Sequence, residues 1–85
     1  MQMPKSIETI LENRQEEYGD AHTNFSAIGR GWGAMLGIED IEPHLVALMM
    51  DFVKTIRLVA NPKHSDSWAD KHGYTQHGQE IAEKP

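Results

Sequence analysis

The chain has 85 residues, no cysteine and a formal net charge of −5. That length allows one domain, and the missing cysteines exclude a disulfide framework or a thiolate zinc site. Eight basic residues against thirteen acidic ones, with no basic cluster, argue against a nucleic-acid backbone binder. A core this small is marginal without a disulfide, so self-association is the expected remedy. No stretch approaches the roughly 18 apolar residues of a membrane span. The opening MQMPKSIETI has no apolar signal core. The expectation is a cytoplasmic protein that engages neither membrane nor nucleic acid.

Strand-type alternation is nearly absent, and helical spacing recurs from end to end. Ser6, after Pro4, is placed to cap a first helix carrying Ile7, Ile10, Leu11 and Tyr18, with Glu8, Glu12 and Glu16 on the opposite stripe. Gly19 in EEYGD breaks it. Thr23 or Asn24 is placed to cap a second helix with Phe25, Ile28, Trp32, Met35 and Leu36 on its apolar side. Gly29, Gly31 and Gly33 interrupt that helix at a cost of about 1 kcal/mol each relative to Ala. They signal close backbone packing or a partly irregular segment. Gly37 is a natural stop.

After the short connection IEDIEP, Pro43 suits the first position of the strongest helix, residues 42–59. Leu45, Leu48, Met49, Phe52, Ile56 and Val59 form its main apolar stripe, and Val46, Met50 and Val53 widen it. The pattern predicts a helix surrounded on most sides. Asn61-Pro62 ends it, because proline disfavours helix in the residue before it. A last helix over 65–82 is poor in large apolar residues, leaving Trp68, Tyr74 and Ile81 to pack, and Gly73 and Gly78 weaken it. The whole predicts one all-α domain over 1–85, four short helices in a small bundle, with 1–5 and 83–85 frayed.

Three polar groups stand out. His44, Asp51, Lys54 and Thr55 fall along one line of the otherwise apolar third helix, with Arg57 beside it. That line faces either water or a polar cleft. Asp66 and Asp70 stand one turn apart, where they either cap the last helix and complement its dipole or share a hard cation. Glu16, Glu17 and Asp20 are either a charged helix end with a local turn or a second set of cation ligands. The five histidines match no zinc pattern, HEXXH is absent, and there is no nucleophile elbow. The glycine-rich GRGWG lacks the lysine and preceding strand of a phosphate loop.

In order, RQEEYGDAHTNF (14–25), I-x-x-x-W (28–32), HLVALMMDFVKTIRL (44–58) and NPKHSDSWADKHGY (61–74) resemble the DUF6378 domain family of small phage and prophage proteins. The resemblance covers residues 8–82. In its closing motif, Lys71-His72 stands where relatives carry small or apolar residues. The family in turn is distantly similar to the MazG-type all-α nucleotide pyrophosphohydrolases, whose helices hold magnesium on carboxylates and split a nucleoside triphosphate into monophosphate and pyrophosphate. The resemblance implies a MazG-like four-helix arrangement completed by oligomerisation. It also implies a nucleotide or other phosphorylated small molecule as ligand.

By the same analogy, Asp66, Asp70 and Asp20 would be catalytic, and the Mg2+ ligands would come from Glu16, Glu17, Asp20, Asp66 and Asp70. Tyr18, Asn24, Lys54, Arg57, Trp68 and Tyr74 would bind substrate. Lys54 and Arg57 would offer charge to phosphate, and Trp68 or Tyr74 would stack on a base. This chain departs from the MazG pattern: Gly19 interrupts the first acidic motif, Asp20 replaces its last glutamate, and no E-x-x-D follows. Asp66-x-x-x-Asp70, or Asp51, would have to serve instead. The competing expectation is a non-catalytic protein that inhibits a host protein or sequesters a nucleotide.

Overall fold

A computed structural model describes residues 20–84, and among them there are three helices and no strand. They are α1 (Ala21–Leu36), α2 (Pro43–Ala60) and α3 (Ser65–Glu83). The helix expected over Ile7 to Tyr18 lies outside the described residues, as do Glu16, Glu17 and Tyr18 themselves.

α1 begins one turn earlier than its sequence suggests. Asp20, not Thr23 or Asn24, is the N-cap, and its carboxylate accepts from the Thr23 N–H at 2.9 Å and from the Thr23 hydroxyl at 2.8 Å. Asp20 thus meets the standard need of a helix start for a side-chain acceptor. At the other end Gly37 takes up the left-handed conformation, φ 71°. The Ile38 N–H then donates to the Gly33 carbonyl at 2.9 Å, the usual glycine-terminated helix exit.

The glycines within α1 now have a physical reason. The connection after Gly37 folds back along the helix, and the Ile41 N–H donates to the Gly29 carbonyl at 3.1 Å. A Cβ at Gly29 would collide with the Ile41 carbonyl oxygen, and one at Gly33 would lie 2.6 Å from that of Glu39. Two of the three glycines therefore let backbone lie on backbone. Gly31 faces open space.

α2 and α3 form an antiparallel pair: Lys54 meets Asp70, Asp51 meets Lys71, and the Ala47 methyl faces Gly78. α1 lies across them, with Phe25 set against Tyr74 at 6.0 Å between ring centroids. The buried apolar residues are few: Phe25, Val46, Ala47, Leu58 and Tyr74. Ala21, Ile28, Trp32, Ile41, Met50 and Ile81 pack around the cluster built on Phe25, Val46, Ala47 and Tyr74.

The orientation of α2 departs from expectation. Its buried and half-buried positions are Pro43, His44, Val46, Ala47, Met50, Asp51, Lys54, Thr55 and Leu58. The polar line therefore faces the interior. The stripe predicted as core (Leu45, Leu48, Met49, Phe52, Ile56 and Val59) is instead 39% to 78% exposed among the described helices. Apolar periodicity locates a stripe on a helix but does not say which neighbour will meet it.

Adding a methyl at Gly29 forces the connection off α1, so Gly29→Ala should lower stability by about 1–3 kcal/mol as an overpacked contact. Gly31→Ala should raise it by up to about 1 kcal/mol through helix propensity alone. Chemical denaturation of the two variants measures both, and equal effects would contradict the packing described.

Candidate functional site

The charged seam between α2 and α3 is the most structured polar feature of the described residues. The Lys54 ammonium lies 3.1 Å from the Asp70 carboxylate, with the two side chains only 13% and 14% exposed. One turn away, the Lys71 ammonium donates to Asp51 at 2.6 Å. The two pairs have opposite polarity: α2 supplies lysine to one and aspartate to the other, and α3 does the converse. Neither pair could be read from sequence, because each joins residues 16 or 20 positions apart. Lys71 is the residue that stands where relatives carry small or apolar side chains. Here it is half-buried against Asp51, while the adjacent His72 is exposed.

Thr55, on the same side of α2, donates its hydroxyl to the Asp51 carbonyl at 3.2 Å and so spends its polarity within the helix. Arg57 is exposed one turn beyond Lys54. In the antiparallel register it lies level with the first turn of α3.

That first turn is capped by His64, not by Asp66. The His64 Nδ1 accepts from the Ser67 N–H at 3.2 Å and lies 2.7 Å from the fully buried Ser67 hydroxyl. Sequence reasoning set His64 aside because it formed no metal pattern. Its position immediately before the helix was the available signal, though histidine is not among the favoured caps. Asp66 is exposed in the first turn, where a carboxylate complements the helix dipole. Trp68 is 45% exposed and fastened by its indole N–H to the Pro62 carbonyl at 2.9 Å. Its ring stands at the α2–α3 turn. Tyr74 is 8% exposed and packs on Phe25, so it belongs to the core. Asn24 is half-buried beside Phe25.

The fold joins Lys54 to Asp70, and Arg57, Asp66 and Trp68 lie nearer the α2–α3 turn at the same end of the pair. Asp20 is not among them. It lines a cleft with His22, Glu42, His44, Ile81 and Lys84 at the opposite end. Ile81 is 11 positions beyond Asp70 on α3, a separation on the order of 16 Å at the helical rise. One ion cannot bridge Asp20 and Asp70 across that distance. Among the described residues, no group of three or more His, Cys, Asp or Glu side chains is arranged to hold a metal. Asp66 and Asp70 keep the one-turn spacing that suits magnesium arriving with its own phosphate ligands.

The hydrogen bond from the Thr23 N–H, and then that from the Thr23 hydroxyl, hold the Asp20 carboxyl below the usual carboxylate range. A depressed folded-state pKa adds stability above the unfolded-state pKa, and that stability is lost as pH falls through the folded-state value.

Fold and site together define a small all-α domain with an interlocked charged seam and an apolar outer face. No described helix is long and apolar enough to cross a membrane. The family model "Domain of unknown function (DUF6378)" matches residues 2–82, so the chain belongs to the DUF6378 family. It is also similar to the Gene 55 protein of Mycobacterium phage L5, 37% identical over 67 residues. That match takes in 79% of this chain and 43% of the phage protein, so the chain spans less than half the length of that relative. No solved structure matches.

Two measurements check this geometry. A double-mutant cycle on Lys54→Met and Asp70→Asn should give a coupling above about 1 kcal/mol, beyond that of ordinary exposed pairs. Strictly additive effects would show that the two charges are not energetically linked. The thermal midpoint of the wild type should fall more steeply than that of Asp20→Asn as pH drops into and below the carboxylate range. Parallel profiles would contradict the Asp20 cap.

Proposed function

We propose that the chain is a phage protein that uses the Lys54–Asp70 end of the α2–α3 seam to bind a phosphorylated nucleotide, in a MazG-like arrangement completed by self-association. The observation that carries the reading is the Lys54–Asp70 pair itself. Withdrawing a lysine and an aspartate from water is seldom a gain in stability over apolar residues of similar volume. A ligand that engages both charges would give the pair a role beyond setting the helix register.

The pair also has the electrostatic form of the ligand. A phosphate group would take the Lys54 ammonium, with Arg57 beside it able to bind bidentately. Magnesium carried by that phosphate would take the Asp70 carboxylate, with Asp66 one turn away. Each charge exchanges its partner for another of the same sign, and no charge is left uncompensated. Magnesium would supply charge neutralisation and activation of a water. Trp68, held by Pro62 at the same end, offers a face for a base. Glu16 and Glu17 remain proposed ligands from outside the described residues.

The distance of Asp20 from Asp66 and Asp70 favours a second reading, sequestration of the nucleotide without turnover. Calorimetry against a panel of NTPs and dNTPs, with and without magnesium, tests both, with pyrophosphate release followed on the same samples. The expected result is magnesium-dependent binding, weakened about tenfold or more in Lys54→Met and Asp70→Asn proteins that remain helical. Turnover lost in Asp70→Asn supports a pyrophosphohydrolase, and binding without turnover supports sequestration. Absence of binding to every nucleotide overturns the proposal. A host protein recovered by pull-down would then point to inhibition.

A further inference from the structure

The outward face of α2 is apolar and exposed along the length of the helix. Leu45, Met49, Phe52, Ile56 and Val59 follow one another at spacings of 4, 3, 4 and 3 residues, the alternation of a heptad seam. They run about 21 Å along the helix. Leu48 and Val53 flank the seam, and Trp32 of α1 meets it around Leu48, Met49, Phe52 and Val53. No charged residue interrupts it. With its large apolar side chains 39% to 78% exposed, the face presents on the order of 700 Å² of apolar surface, against roughly 300–600 Å² for the largest patch of a typical monomer. A standard protein interface takes about 800 Å² from each partner.

We infer that this face is covered by α2 of a second copy of the chain, across a two-fold axis that passes near Phe52. This deepens the self-association part of the reading above and is independent of nucleotide binding. Three observations select a second copy. The described helices bury only five apolar residues, so covering this face would enlarge a small core, and another copy is available whenever the chain folds. The chain carries a net charge of −5, so copies repel through most surfaces, yet here no like charges would meet. A heptad seam is complementary to itself, as an interface between identical copies requires. The chain before Asp20 brings six large apolar side chains, Met1, Met3, Ile7, Ile10, Leu11 and Tyr18, against the seven of the face.

Phe52 lies midway between Leu45 and Val59, so it meets its own counterpart whether the two α2 helices run parallel or antiparallel. Because the chain has no cysteine, a single Phe52→Cys substitution reports that meeting. Sedimentation velocity on the full-length protein at micromolar concentration should give twice the 9.6 kDa of one chain, and Phe52→Glu should give a monomer that keeps its helical circular dichroism. Mild oxidation should cross-link Phe52→Cys into a covalent dimer while Met35→Cys, exposed on α1, stays single. A monomeric wild type, or a Phe52→Glu protein that remains dimeric, overturns the inference. If Phe52→Glu fails to fold, the cross-linking decides, and failure of Phe52→Cys to cross-link overturns it. Nucleotide binding by a monomer would refute this surface and leave the ligand reading intact.

Discussion

The Lys54–Asp70 and Asp51–Lys71 pairs fix how α2 and α3 face one another, and most of the remaining structure follows from that. Two ion pairs of opposite polarity can be satisfied together in only one antiparallel register. Sliding α3 by one turn would set aspartate against aspartate or lysine against lysine. The register brings Gly78 onto Ala47 and leaves Tyr74 to meet Phe25 of α1. Charge contributes specificity here more than stability, since withdrawing ionic groups from water costs much of what their attraction returns.

The same interlock turns the apolar stripe of α2 outward. A helix has one circumference, and a face given to α3 cannot also be given to a core on the other side. The described part of the chain consequently has a thin interior on one side of α2 and an apolar surface on the other. α1 is secured differently, by backbone laid on backbone. The chain reverses at Gly37, runs back along the helix and lies against Gly29 and Gly33, where any side chain would stand in its path.

Much of the candidate site was legible in the sequence, though for mixed reasons. Lys54 and Asp70 stood out, one as a polar break in an apolar helix and one through an ordered family motif, and the fold joins them. Asp20 entered through the acidic motif beside Tyr18, but its geometry is that of a helix cap at the far end of α3. Tyr74 was legible as an aromatic of the closing motif, and its burial makes it a core residue. The cap role of His64 and the ion pair of Lys71 were not legible, because they depend on neighbours, Ser67 in one case and Asp51 in the other. Neither partnership has a spacing rule strong enough to announce it.

What the sequence determined by itself was local: three described helices close to their expected ends, the stops at Gly37 and Asn61-Pro62, and proline at the start of α2. These depend on propensity, capping and backbone geometry, which act over a few residues. What only the tertiary structure decided was orientation. The sequence placed a polar line and an apolar stripe on α2, and either could have faced the interior. Two lysine–aspartate contacts from α3 settled it, because an ammonium removed from water is costly unless a carboxylate or other acceptor compensates it, whereas an apolar side chain can wait at the surface for any apolar partner.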